Sequence, residues 1–216
     1  MMVLPVRWSS GPRIVSVVGV LAFWVGVFLA GSLVNEYSAR EDYISFLAGR
    51  GSPVAALAIS AMLANAVAHL ATAVAVLRGW GARLLAALLA AAGVAMMAVA
   101  VFRQACPDGP PACGVPDLTA TDWVDVVHAV SVSLYQLFTL VAMLTLTIVA
   151  LRRNSAPPRW LGWLTLAFAT GSMTFVAQSV GDLPGLWQRL WLATNLAWLL
   201  VVAWTATARS GIGTAR

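Results

Sequence analysis

At 216 residues the chain has the length of one domain, but 61% of it is hydrophobic and 10% charged, against about 25% charged in soluble domains. That balance excludes a water-soluble core and points to a membrane. The formal charge of +5 sits on Arg residues placed singly or in pairs at the ends of apolar runs, with no basic stripe. This excludes a nucleic-acid partner and makes the charge a matter of topology.

The first apolar run, 14–34, spans about 31 Å at about 1.5 Å per residue and follows Arg7 and Arg13. A cleaved signal peptide is the rival reading, because LAGS at 29–32 offers small residues; the run is longer than the usual stretch of about 7 to 15. A polar connector, 35–53, carries Glu36, Arg40, Glu41, Asp42 and Arg50. The second span, 54–77, is interrupted by Asn65 and His69, and Pro53 suits a helix's first turn. After a basic turn, 78–83, comes an Ala-rich third span, 84–102. A long loop, 103–123, leads into the fourth span, 124–151. A basic loop with prolines (152–159), a fifth span (160–180), a short turn (181–189) and a sixth span (190–208) complete the chain. The expected fold is all-α, an integral membrane bundle of six antiparallel transmembrane helices making one domain over 1–216.

Charge orients the bundle. The N-terminus, the connectors 78–83 and 152–159 and the tail hold nine Arg and no acid; the other connectors with their helix ends hold Arg40, Arg50, Arg103 and Arg189 against all eight acids. Cytoplasmic flanks are enriched in basic residues, so both termini are expected in the cytoplasm of a plasma-membrane protein, with loop 103–123 outside. Trp160 and Trp163 at the inner level, and Trp123, Trp187 and Trp191 at the outer, fit interfacial belts. Small residues four apart, Ala22, Gly26 and Ala30 and again Ala87, Ala91 and Ala95, predict close helix packing.

Cys106 and Cys113 flank CPDGPPAC in a loop assigned to an oxidising compartment, which predicts a disulfide contributing about 2.5 kcal/mol by loop closure. A metal clip would need more Cys or His nearby, so no metal and no cofactor are expected. Asp122, Asp125 and His128 recur every third residue where the fourth span begins, continued by Ser131 and Tyr135. One reading is helix capping with an interfacial His. The other is an outward-opening pocket in which Asp125 and His128 act as a catalytic acid/base pair. Ser32, Asn35, Gln178 and Asp182 fall at the same level. So do Glu36, Arg103, Gln104, Gln188 and Arg189, which with Asp122 form the expected ligand-binding set; the alternative is an ion-pair network that ties helix ends. His69 lies about 22 Å along its span, too deep to share an ion with His128. His69 and Asn65, and separately Asn195, are expected to make interhelical hydrogen bonds. Phosphate-loop, HExxH and GxSxG signatures do not occur in the sequence.

Three stretches carry a resemblance: EYSAREDYISFLAGRGSP (36–53), VFRQ (101–104) and GLWQR (185–189) before a Trp-containing last span. With the loop leading to His128, they make the chain resemble the bacterial membrane family of unknown function 998, a six-span family related to the eukaryotic DRAM-type membrane proteins. The resemblance covers nearly all of the chain and implies the fold and membrane location, with no reaction attached; a Cys pair is not part of the family's pattern. The leading functional expectation is a protein that binds lipid or a membrane partner through an acidic polar mouth. The rival is an intramembrane enzyme acting on a lipid or isoprenoid, with Arg103 or Arg189 holding an anionic headgroup. A small transporter fits less well, since few Gly or Pro residues interrupt the spans.

Overall fold

The computed structural model describes residues 10–35, 37–105, 122–152 and 157–208. Seven helices follow in order: α1 (Gly11–Ser32), α2 (Ile44–Leu47), α3 (Ala55–Trp80), α4 (Arg83–Val101), α5 (Trp123–Arg152), α6 (Arg159–Gln178) and α7 (Pro184–Ala208). All but α2 are long and apolar enough to cross a membrane, so the chain is an all-helical membrane protein. In hydrocarbon a backbone must satisfy its own polar groups, which a helix does along its whole length.

Local chemistry sets the helix ends. Pro12 opens α1, where a missing N–H costs nothing. Gly81 ends α3 in the left-handed region at φ 64°, its N–H donating to the Leu77 carbonyl. Pro184 starts α7 six residues before the expected 190, so the stretch read as a turn through Arg189 is mostly helical: a proline is tolerated in a first turn, and nothing in GLWQR breaks a helix.

Around the bundle α1 packs on α3, α3 on α4, and α4, α5, α6 and α7 follow as neighbours; α7 returns to touch α1 and α3. Without a hydrophobic drive between helices in lipid, association rests on close packing. A Cβ on Gly19 would lie 2.6 Å from the Ala64 carbonyl oxygen, and one on Gly26 2.7 Å from the Ala61 Cβ. The small-residue stripes overlap the expected ones at Gly26, Ala30 and Ala95 and depart from them at Ala22 and Ala87. Gly19, Gly26 and Ala30 are buried and Ala22 is exposed; in α4, Ala92, Gly93 and Ala95 are buried and Ala87 is exposed. Trp123, Trp160 and Trp163 are exposed as belt residues would be, but Trp191 is buried at 3% exposure and belongs to the core.

Among the described residues Arg13, Arg78, Arg83, Arg152 and Arg159 share one end of the bundle with no Asp or Glu, and every described acid lies at the other. At that acidic end the connector after α1 does not stay a solvated loop. It folds inward, and Ile44, Ser45, Phe46 and Leu47 of α2 are all buried.

Candidate functional site

The acidic end is built around this connector. The Arg103 guanidinium donates to the carbonyls of Ala48 (2.8 Å) and Gly49 (2.9 Å), capping the chain where α2 ends. The Gln188 side-chain oxygen accepts the Ile44 N–H at 2.7 Å, and the Tyr43 hydroxyl donates to the Ser179 carbonyl at 2.6 Å. Arg189 donates to the carbonyls of Asp42 (3.0 Å) and Gly185 (2.9 Å) and to the Tyr37 hydroxyl. Burial pushes the Tyr37 hydroxyl's pKa up, only partly offset by Arg189, so the phenol stays neutral and accepts that bond; burial also raises Tyr43. Both arginines expected to hold an anionic headgroup thus hold backbone carbonyls.

The GLWQR motif now has a structural account. Gly185 faces the Asp42 carbonyl so closely that a Cβ would collide with it, while Gln188 and Arg189 bond the same connector one turn further on. Gly185→Ala should therefore lower the thermal midpoint of the purified protein by several degrees, since the obstacle is backbone that cannot rotate away.

The Asp122, Asp125 and His128 series divides into separate tasks. Asp122 accepts the Val124 N–H at 3.3 Å, as a helix-capping carboxylate does, and pairs with Arg50 at 2.8 Å. Asp125 accepts the Ala105 N–H at 2.6 Å and lies 3.6 Å from the Arg50 guanidinium. The chains of Arg50 and Ala105 run side by side there in a single parallel bridge. His128 is bonded to neither acid. Its Nδ1 lies 2.8 Å from the Phe102 carbonyl, which can only accept, so Nδ1 carries the proton and Nε2 keeps its lone pair. Arg50 holds the Asp122 carboxyl below its ordinary value of 3.8. A depressed carboxylate stabilises the fold above that value and loses its contribution as pH falls through the lower folded value. Asp122→Asn should remove a small, salt-sensitive loss of stability below about pH 4, read from thermal unfolding across pH; the pair is exposed and its effect modest.

Beside these contacts lies a cleft of about 590 Å³ between α5, α6 and the start of α7. Gln104, His128 and Gln188 line it, together with Ser133, Gln136 and Ser179. Its lower walls are apolar, among them Val132, Leu140 and Val176. Leu137, Met173 and Val180 also line it and are 51%, 43% and 85% exposed, so the cleft opens sideways on the lipid-facing surface. Among the described residues no charged side chain lines it.

The sequence reading missed Gln136, which anchors the cleft's deep side. Its side-chain oxygen accepts the Trp191 indole N–H (2.6 Å) and the Asn195 amide (3.2 Å), and its amide donates to the Ser172 hydroxyl (3.0 Å). The signal was an uncharged amide within an apolar span, next to Tyr135. Asn195 makes the interhelical bond expected of it; the His69 Nδ1 instead bonds the Asn65 carbonyl of its own helix at 3.0 Å. Of the remaining expected site residues, Glu36, Cys106 and Cys113 lie outside the described residues, so the disulfide does too. Among the described residues no group of three His, Cys, Asp or Glu is placed to hold a metal.

A family model described as "Protein of unknown function (DUF998)" matches residues 17–205. No curated protein and no solved structure matches the chain. The chain belongs to this family, and its six apolar helices make it a multi-pass membrane protein.

Proposed function

We propose that this family member binds a lipid or related amphiphile with an uncharged polar headgroup in the cleft between α5, α6 and α7, and that the acidic end faces away from the cytoplasm at the plasma membrane. The cleft carries the first part. Its volume falls within the range of about 300–1,000 Å³ of ligand sites, its walls suit an acyl or isoprenoid chain, and its polar side groups gather toward the α2 end. An anionic headgroup would need a cation, and among the described residues Arg103 and Arg189 are engaged with carbonyls and Arg50 with Asp122. The orientation rests on the one-sided distribution of arginine and acid.

Native mass spectrometry of the full chain released from mild detergent, with lipid extraction, tests the reading. A neutral-headgroup lipid should remain bound to the wild type, and Leu140→Trp, which fills the cleft, should reduce its occupancy at least about tenfold. Equal lipid retention by both proteins, or retention of anionic lipid alone, would reject it.

One observation favours a second reading. The His128 Nε2 lone pair belongs to a ring lining the cleft and is a base with no carboxylate bonded to it among the described residues. An intramembrane enzyme would use it to take a proton from a lipid hydroxyl. His128→Gln would then keep lipid occupancy and abolish turnover of the bound lipid, whereas a binding protein shows no turnover to lose.

A further inference from the structure

A second polar cluster lies deeper, where α3, α5 and α7 meet, and the cleft does not use it. Asn65, His69, Tyr135, Thr139 and Asn195 are all 0% exposed. His69 is about 21 Å along α3 from Ala55 at about 1.5 Å per residue, well inside the apolar layer. Its ring meets Tyr135 edge-on with centroids 5.3 Å apart, and Asn195, Asn65 and Thr139 surround the Tyr135 hydroxyl.

Close as these neighbours lie, few of their polar atoms are paired in good hydrogen-bond geometry. Both polar atoms of the Asn65 side chain, His69 Nε2, the Tyr135 and Thr139 hydroxyls and Asn195 Oδ1 are buried without a hydrogen bond to any described residue. Native interiors rarely leave one such atom, and six together in a membrane would be costly. The pattern also has a chemical sign. His69 Nδ1 donates to the Asn65 carbonyl, so Nε2 is an acceptor in the neutral ring. With Asn65 Oδ1 and Asn195 Oδ1 that makes three dedicated acceptors, facing the two N–H groups of the Asn65 amide and two hydroxyls that act either way. Water, which both donates and accepts, can serve both kinds.

One small cavity touches the cluster, at Tyr135. Tyr135 walls a cavity of about 30 Å³, and Ser45, Gln188, Trp191 and Val132 wall both that cavity and the outer cleft. A water molecule needs about 10–15 Å³ and two to four polar partners. We propose that the Asn65, His69, Tyr135, Thr139 and Asn195 cluster is a built mid-membrane site for water, admitted from the α2 end. Water there donates to His69 Nε2 and to an amide oxygen, accepts from the Asn65 amide or a hydroxyl, and makes His69 a base in contact with solvent from one side of the membrane. This site stands apart from lipid binding, and either can fail without the other.

Nitrogen-15 NMR of the full chain in lipid nanodiscs, with labelled histidine, tests it. The chain has two histidines, so His128→Gln leaves the His69 ring alone in the spectrum. Magnetisation from water should reach His69 Nε2, and Thr139→Val, which removes one hydroxyl at nearly constant shape, should cut that transfer at least about twofold. Asn65→Leu should lower the thermal midpoint, because a satisfied amide is lost. In a dry cluster the same substitution removes an unpartnered polar group and raises the midpoint. Absence of water transfer to His69 in the wild type, transfer unchanged in Thr139→Val, or a raised midpoint in Asn65→Leu overturns the proposal.

Discussion

Arg103→Ala should destabilise the protein by about 2–4 kcal/mol and free the connector over the bundle's acidic end. The guanidinium supplies two charge-assisted bonds, to the carbonyls of Ala48 and Gly49, where a four-residue helix ends. Such bonds are worth about 1.5–3 kcal/mol each, and the figure is discounted because Arg103 is only half-buried. Ala48 is 2% exposed, so water cannot simply replace the lost donor. Arg103→Lys should recover less than half, since an ammonium does not present the planar fork that reaches both carbonyls. Unfolding in mixed micelles measures the loss, and hydrogen exchange locates it: amides 44–50 should exchange much faster, while those in the middle of α3 should not. If exchange at 44–50 is unchanged in the alanine variant, Gln188, Tyr43 and Arg189 hold the connector without Arg103.

Gln136→Leu should cost about 2–4 kcal/mol, although leucine fits nearly the same volume. Single hydrogen bonds between membrane helices average about 0.6 kcal/mol, and Gln136 makes three, to Ser172, Trp191 and Asn195, which alone gives about 2 kcal/mol. Leaving the buried Trp191 and Asn195 donors without an acceptor adds to that. Gln136→Glu, protonated in this setting, keeps an acceptor for both donors and should be the milder change. Equal unfolding of the two variants would mean that side-chain shape, and not the acceptor, matters at 136. The glutamine also ties α5 to α6 and α7 across the cleft, so the leucine variant should weaken lipid retention along with stability.

Most of the architecture was legible in the sequence. Segment lengths gave the six spans to within a few residues except at α7, where Pro184 and the residues after it read as a turn. The polar ring at the acidic end was also legible, because depth follows from counting residues along a span. Gln104, His128 and Gln188 line one cleft. The stretch 35–53 was the harder case: its charges made it a polar connector, whereas its apolar middle, Ile44–Leu47, is drawn into the bundle by partners just past the ends of α4 and α6 and on α7.

The sequence by itself determined membrane residence, the number and order of the long apolar helices and the separation of arginine from acid, because each depends on local length, polarity and charge. Tertiary structure decided which polar group meets which. Asp125 and His128 lie one turn apart, yet one bonds Arg50 and the Ala105 amide and the other the Phe102 carbonyl. Arg103 and Arg189 serve carbonyls, and Gln136 emerges as the link between α5, α6 and α7. The physical reason lies in the helices themselves. A span that is apolar nearly all round has no strong polar stripe to say which face turns inward, so helix rotation, and with it every long-range partner, is set by packing between segments distant in the chain.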